Sequence, residues 1–226
     1  MATDKFNRIK LIIATVQEIS VNTKAKVPSY ALNLNVGRHL LQKHTKPFYK
    51  SSAQIVSNYT PESLLNTQLL IVANFPTKQI GKSTSHCLTT AVIDTNAPEE
   101  TKRDTYFVVH PTGNVENGSL VSITGDSSIY ETNERDLSWE EFTQVEIRVV
   151  GIHGVNDILE IDGKYVYNLQ VESGNGLKSA KLVTCSVIEP TGNVLALVDG
   201  DIYHILTVGG SSLLQVEQNV IGHRLA

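Results

Sequence analysis

The chain has 226 residues, of which 41% are hydrophobic and 19% charged, with two cysteines, Cys87 and Cys185. That length allows one or two domains of roughly 100 to 200 residues, and the composition excludes a disulfide-stapled miniprotein and argues against long disordered tails. The longest apolar runs, 11–14 and 69–73, fall far short of the roughly 20 residues of a membrane helix; Asp4, Lys5, Arg8 and Lys10 interrupt the N-terminus where a secretory core would lie. A cytoplasmic protein with no membrane partner is expected.

The net charge of −4 conceals an asymmetry, since residues 1–93 carry +8 and residues 94–226 carry −12. A field is local, decaying over about 8 Å at physiological salt, so the N-terminal part can bind phosphates whatever the whole-chain balance. Its densest basic segment runs from Lys24 to Lys50 with Lys26, Arg38, Lys43 and Lys46 and no acid. A solvated lysine-rich loop has the same composition, and composition does not separate the two readings.

Period-two alternation at Tyr30, Leu32, Leu34 and Val36 predicts a half-buried antiparallel strand. Thr60-Pro61-Glu62 supplies an N-cap followed by proline at the first helical position, and residues 94–105 form a polar insertion. After a polar stretch over 127–136, Ser138 and Glu141 make a capping box. Asp162-Gly163 and Asp199-Gly200 each separate alternating runs and predict tight hairpins. The chain is therefore expected to be mostly β.

Comparison of the chain with itself reveals a repeat. Phe6, Ile9, Leu11, Ile13 and Val16 fall on Phe142, Val145, Ile147, Val149 and Ile152 at an offset of 136. In the same order, 30–34 match 167–171, 52–56 match 179–183, and 69–73 match 194–198. Each copy reads as a small β domain, with domains expected at 1–130 and 137–226.

Several segments carry a family resemblance: Asp4-Lys5-Phe6-Asn7-Arg8-Ile9, Val27-Pro28-Ser29-Tyr30-Ala31-Leu32, Ser51-Ser52-Ala53-Gln54-Ile55 and Val72-Ala73-Asn74-Phe75-Pro76. To these are added Ser85 and the tail 106–118. They resemble the CsaA-type branch of the tRNA-binding domain family, whose relatives are appended to methionyl- and phenylalanyl-tRNA synthetases. The resemblance implies an OB-fold barrel, in a branch whose members are homodimers described as peptide-binding, secretion-related chaperones. The second copy opens with a closer match over 138–149 and then degenerates. Four residues separate Gly174 from Ser179 where fourteen separate Gly37 from Ser52, and Asp199-Gly200-Asp201 replaces Asn74-Phe75-Pro76. The fold class implied is all-β, two tandem OB-fold barrels packed as an intrachain pseudodimer, with the chain a monomer.

Catalytic patterns are lacking in the sequence. The seven histidines are scattered, no Cys-x-x-Cys or His-x-x-x-His occurs, and Gly209-Gly210-Ser211-Ser212 lacks a Walker lysine. His86-Cys87 is an adjacent pair whose side chains would point to opposite faces of a strand, so Cys87 reads as a buried thiol. No enzyme, metal or cofactor is expected. The leading expectation is a non-catalytic RNA-binding module, tRNA being the ligand the resemblance implies, acting through the first copy. Lys24, Lys26, Arg38, Lys43, Lys46, Lys50, Lys78 and Lys82 would track phosphates. Ser52, Gln54, Asn74 and Ser85 would supply polar contacts, with Asn74 and Ser85 equally able to fix a turn. Phe48 and Tyr49 form a stacking pair of which one, Phe48 in particular, can instead anchor the loop. The alternatives are a peptide-binding chaperone with an apolar groove between copies, and a protein-interaction scaffold, for instance in a synthetase complex.

Overall fold

The computed structural model describes residues 1–23, 25–37, 48–80, 83–132, 134–217 and 220–226. Among the described residues three short α-helices are present: α1 (Ala2–Arg8), α2 (Pro61–Leu64) and α3 (Trp139–Thr143). The first copy holds β1 (Leu11–Val21), β2 (Tyr30–Asn35), β3 (Phe48–Ala53), β4 (Gln68–Val72), β5 (Lys78–Ile80), β6 (Ser83–Ser85), β7 (Leu88–Thr89), β8 (Ala91–Ile93), β9 (Phe107–Val108), β10 (His110–Pro111) and β11 (Val121–Ser122). The second holds β12 (Ile147–Ile161), β13 (Lys164–Glu172), β14 (Leu177–Thr184), β15 (Asn193–Asp199), β16 (Ile202–Ile205), β17 (Thr207–Val208), β18 (Ser212–Gln215) and β19 (Arg224–Leu225).

Both copies are OB-type barrels. In the second, β12 pairs with β13 and β15, β13 with β14, β15 with β16, and β14 runs parallel to β16, which closes the ring. In the first, the order is β3-β2-β1-β4-β7. Its gap is bridged by His86 N donating to Lys50 O at 2.7 Å and Thr89 N donating to Ser51 Oγ at 3.3 Å.

The alternation expected at β2 is observed, with Tyr30, Leu32 and Leu34 buried. Both capped helices form as their sequences predict, Thr60 Oγ1 accepting from Ser63 N and Ser138 Oγ from Glu141 N. The hairpin at Asp162-Gly163 has positive φ at both residues, as a type I′ turn requires. The second hairpin shifts by one residue. Asp199 pairs with Ile202, so Gly200-Asp201 is the turn, with glycine at the first central position and φ +62° there.

The two copies share a core. Leu11 and Ile13 of β1 and Leu70 and Val72 of β4 pack in one cluster with their repeat equivalents, Ile147 and Val149 of β12 and Leu195 and Leu197 of β15. Phe6 and Ile9 join from one side, Phe142 and Val145 from the other. Two further cores fill the barrel interiors, one around Leu32, Leu34 and Ile71 and one around Tyr167, Leu169 and Ala196. Burying a side chain of this size contributes about 1.5–3 kcal/mol, so residues buried in the shared cluster stabilise the packing of one copy on the other.

The chain exchanges strands across this junction: β8 pairs with β19, β10 with β18 and β11 with β17. The repeat also extends further than side chains reveal. Gly118 N donates to Ile13 O and Ile13 N to Ser119 O; equivalently, Gly222 N donates to Val149 O and Val149 N to His223 O. Gly118 and Gly222 both have φ near +88°, and a Cβ at Gly118 would lie 2.8 Å from Val36 O. Among the described residues no helix is long and apolar enough to cross a membrane.

Candidate nucleic-acid interface

β3 is held by its pairing with β2, which places Leu34 opposite Tyr49 and Leu32 opposite Ser51. Because Leu32 and Leu34 face the barrel interior, Tyr49, Ser51 and Ala53 do so too, and Phe48, Lys50 and Ser52 face outward. Ser51 can be buried there because its hydroxyl is engaged by Thr89 Oγ1 at 2.8 Å and reaches Cys87 O.

The aromatic pair is therefore resolved opposite to expectation. Tyr49 is the anchor, with only 7% of its surface exposed, and Phe48 is the free ring at 38%. The Arg135 guanidinium lies 4.8 Å from the Tyr49 ring centroid and also donates to His86 O. Burial raises the Tyr49 hydroxyl pKa, an effect that the Arg135 charge opposes. Tyr49 has no ring face available for a base and is withdrawn as a stacking residue.

Asn74 is likewise structural. It is buried, its Oδ1 accepting from Lys10 N and its Nδ2 donating to Arg8 O, both at 2.9 Å, so it fastens the turn between α1 and β1. One donor and one acceptor of its amide are used within the protein, and its burial keeps the remainder from the surface. The Ser85 hydroxyl donates to Cys87 O at 2.8 Å. Ser52 Oγ meets Ser29 Oγ at 3.2 Å, and Gln54 Oε1 accepts from Arg103 Nε at 3.3 Å. Cys87 is buried and its thiol pKa is pushed up to about 12 by desolvation, so it is no nucleophile at neutral pH.

Ser52, Lys78 and Ser85 do come together, on the rim of a cleft of about 430 Å³. Its apolar floor and walls include Phe75, Pro76, Leu88 and Leu137, and it is closed by Trp139 from α3. Phe75 lies 6.0 Å from Trp139 and 5.6 Å from Phe142, forming an aromatic cluster in which Trp139 remains 58% exposed. Lys50 lies outside the cleft, on the same face of β3 as Ser52, and lines a second, smaller depression with Asn33 and Glu18. Lys26 is exposed in the bend before β2, and Gln54 lies beyond the end of β3. Lys24, Arg38, Lys43, Lys46 and Lys82 lie outside the described residues.

Trp139 was not among the residues expected at this site, because it belongs to the other copy. Its repeat equivalent is Thr3, and Phe75-Pro76 becomes Gly200-Asp201, so the cleft's components are present at one end of the pseudodimer and replaced at the other. One signal was available: the chain's only tryptophan stands directly after the Ser138 cap, where the first turn of a helix this short cannot bury it.

No protein-family model matches the chain. Among solved structures, it is similar to the chaperone CsaA of Bacillus anthracis, at 28% identity over 53% of this chain and 96% of that one, with a TM-score of 0.43. It is also similar to the C-terminal domain of Plasmodium vivax p43, at 18% identity over 81% and 96%, TM-score 0.48. A third is a protein related to methionyl-tRNA synthetase from Pyrococcus horikoshii, at 16% identity over 51% and 92%, TM-score 0.39.

Proposed function

We propose that the chain is a non-catalytic RNA-binding module whose ligand, a tRNA or another structured RNA with unpaired bases, lies along the outer face of the first barrel. The observation that carries this reading is a row of exposed aromatic and basic groups. Phe48, Lys50 and Ser52 on β3 lead to the cleft bordered by Lys78 and Ser85 and closed by Trp139. Lysines spaced along a barrel face neutralise successive phosphates, while exposed rings stack on unpaired bases without requiring a particular sequence. The sequence motifs of the first copy support tRNA as the class, and Lys24, Arg38, Lys43, Lys46 and Lys82 extend the basic set in the sequence.

The apolar lining of the cleft supports a second reading, in which it takes an apolar side chain of an extended peptide, as the chaperone alternative requires. One experiment separates the two. Bulk tRNA is titrated into the protein while Trp139 fluorescence is followed, over a range of salt and with an apolar peptide as competitor. RNA binding predicts affinity that falls steeply with salt and survives the peptide. Salt-resistant binding of the peptide, with no effect of tRNA, would replace the RNA reading by the chaperone one.

A further inference from the structure

The outer half of β12 has a neighbour on one side only. β15 accompanies β12 from Ile147 to Gly151, and Ile152 N donates to Gly192 O. Beyond that point β13 continues alongside to Ile161, and among the described residues nothing pairs with the other edge. After register shifts at 152–154 and 155–157, the stretch Asp157–Ile161 pairs regularly with Asn168–Lys164. An unpaired edge offers its N–H and C=O groups to any extended chain, and proteins blunt such edges with lysine, proline or short strands. This edge contains neither lysine nor proline from His153 to Ile161.

The first copy shows how much of this strand the fold needs. β1 and β12 begin at equivalent residues, yet β1 ends at Val21, which pairs with Tyr30 as Ile158 pairs with the equivalent Tyr167, and β12 continues to Ile161. The extension is Leu159-Glu160-Ile161, and its two apolar side chains, together with Ile158 just before it, are about half exposed, at 47%, 50% and 48%. None belongs to any of the three cores, so the barrel closes without them. The extension is also acidic. Asp157, Glu160 and Asp162 lie along it, and the cation across the hairpin, Lys164, is held by Asp126 and Thr124 O. Lys181 stands a strand further away, opposite Asn168 on β14.

We propose that the free edge of β12 is a docking strand for an extended basic segment of a partner protein. The segment adds to the sheet through its backbone, places lysine or arginine against Asp157 and Glu160, and covers Ile158, Leu159 and Ile161 with apolar residues. Charge selects this occupant over a second copy of the chain, which would bring one acidic edge against another. The surface belongs to the second barrel and is independent of the RNA reading.

The probes are a labelled peptide, acetyl-Lys-Val-Ile-Lys-Val-Ile-Lys-amide, whose lysines recur every third residue and so fall on alternate faces of the sheet as Asp157 and Glu160 do, and the same peptide with glutamate in place of lysine. The lysine peptide is expected to bind at least about tenfold more tightly than the glutamate peptide and to slow amide exchange over residues 153–161. The exposed double variant Asp157→Lys with Glu160→Lys is expected to reverse that preference. Trp139→Ala, which opens the cleft on the first barrel, should leave lysine-peptide binding intact and so separates the two sites. Equal binding of the two peptides, no binding, or indifference to the double charge reversal would overturn the proposal. So would sedimentation of the wild-type chain as a dimer that Ile158→Asp dissociates, because a second copy would then cover the edge.

Discussion

The two barrels share one strand plan and have diverged at corresponding places. Where the first has Asn74-Phe75-Pro76, half of an aromatic cleft, the second has a tight Asp199-Gly200-Asp201 hairpin. Where the first ends β1 at Val21, the second extends β12 by three residues, Leu159 to Ile161, into an acidic hairpin. Positions facing the shared core kept their apolar character in both copies, and positions facing outward did not. Packing between copies constrains one face of each barrel, and the other face is free to take on different chemistry.

The strongest test of this comparison is whether the barrels depend on each other. Leu70 and Leu195 are equivalent and both fully buried in the shared cluster. Leu70→Ala and Leu195→Ala should each cost about 2–5 kcal/mol and shift a single urea transition seen by fluorescence and circular dichroism alike. Two separated transitions would show that the copies are independent units. A smaller, one-sided effect is expected at the diverged turn. Asn74→Ala removes two buried hydrogen bonds and should cost about 1–3 kcal/mol, whereas Asp199→Ala, on a part-exposed hairpin, should stay within about 0.5 kcal/mol.

Binding should be similarly one-sided. Lys50→Ala combined with Lys78→Ala should weaken tRNA binding and reduce the log–log salt slope by roughly 0.7 for each phosphate no longer neutralised. Lys178→Ala, on β14 of the second barrel and 3.8 Å from Asp201, should leave the slope unchanged. An equal loss from Lys178→Ala would place RNA on both copies.

The smallest effect concerns pH, and it belongs to the second copy. His204 and His223 have pKa values lowered from the usual 6.5, chiefly by desolvation; His223 Nδ1 has no hydrogen-bond partner. The unfolded chain therefore takes up these protons first. The stability they contribute is complete above about pH 6.5 and is lost as pH falls through their lowered folded values. His204→Gln together with His223→Gln should flatten the acid side of a Tm-against-pH curve, and an unchanged curve would remove both residues from the acid response.

Much of this was legible in the residues. Alternation at 30–36, the capping signals at Thr60 and Ser138, the Asp-Gly hairpins and the internal repeat are local patterns, and two copies of one pattern in one order imply two copies of one barrel. Helix α1 was legible only through the repeat, which sets it against the capped α3. The site was less legible because it depends on register and on packing between distant parts of the chain. Phe48 and Tyr49 are adjacent aromatics, and only the pairing of Tyr49 with Leu34 determines which enters the barrel. Asn74 looked like a ligand-binding amide until its two hydrogen bonds to the backbone of Arg8 and Lys10 were in place.

The amino-acid order by itself determined the strands, the duplication and the uneven charge, because each arises from residues near one another or from a comparison of like with like. Only the tertiary structure decided that Trp139 closes a cleft beside Phe75, that Arg135 covers Tyr49, and that β12 runs on past β15. Each of these brings together residues that are distant in the chain, and packing of one copy against the other sets the distance.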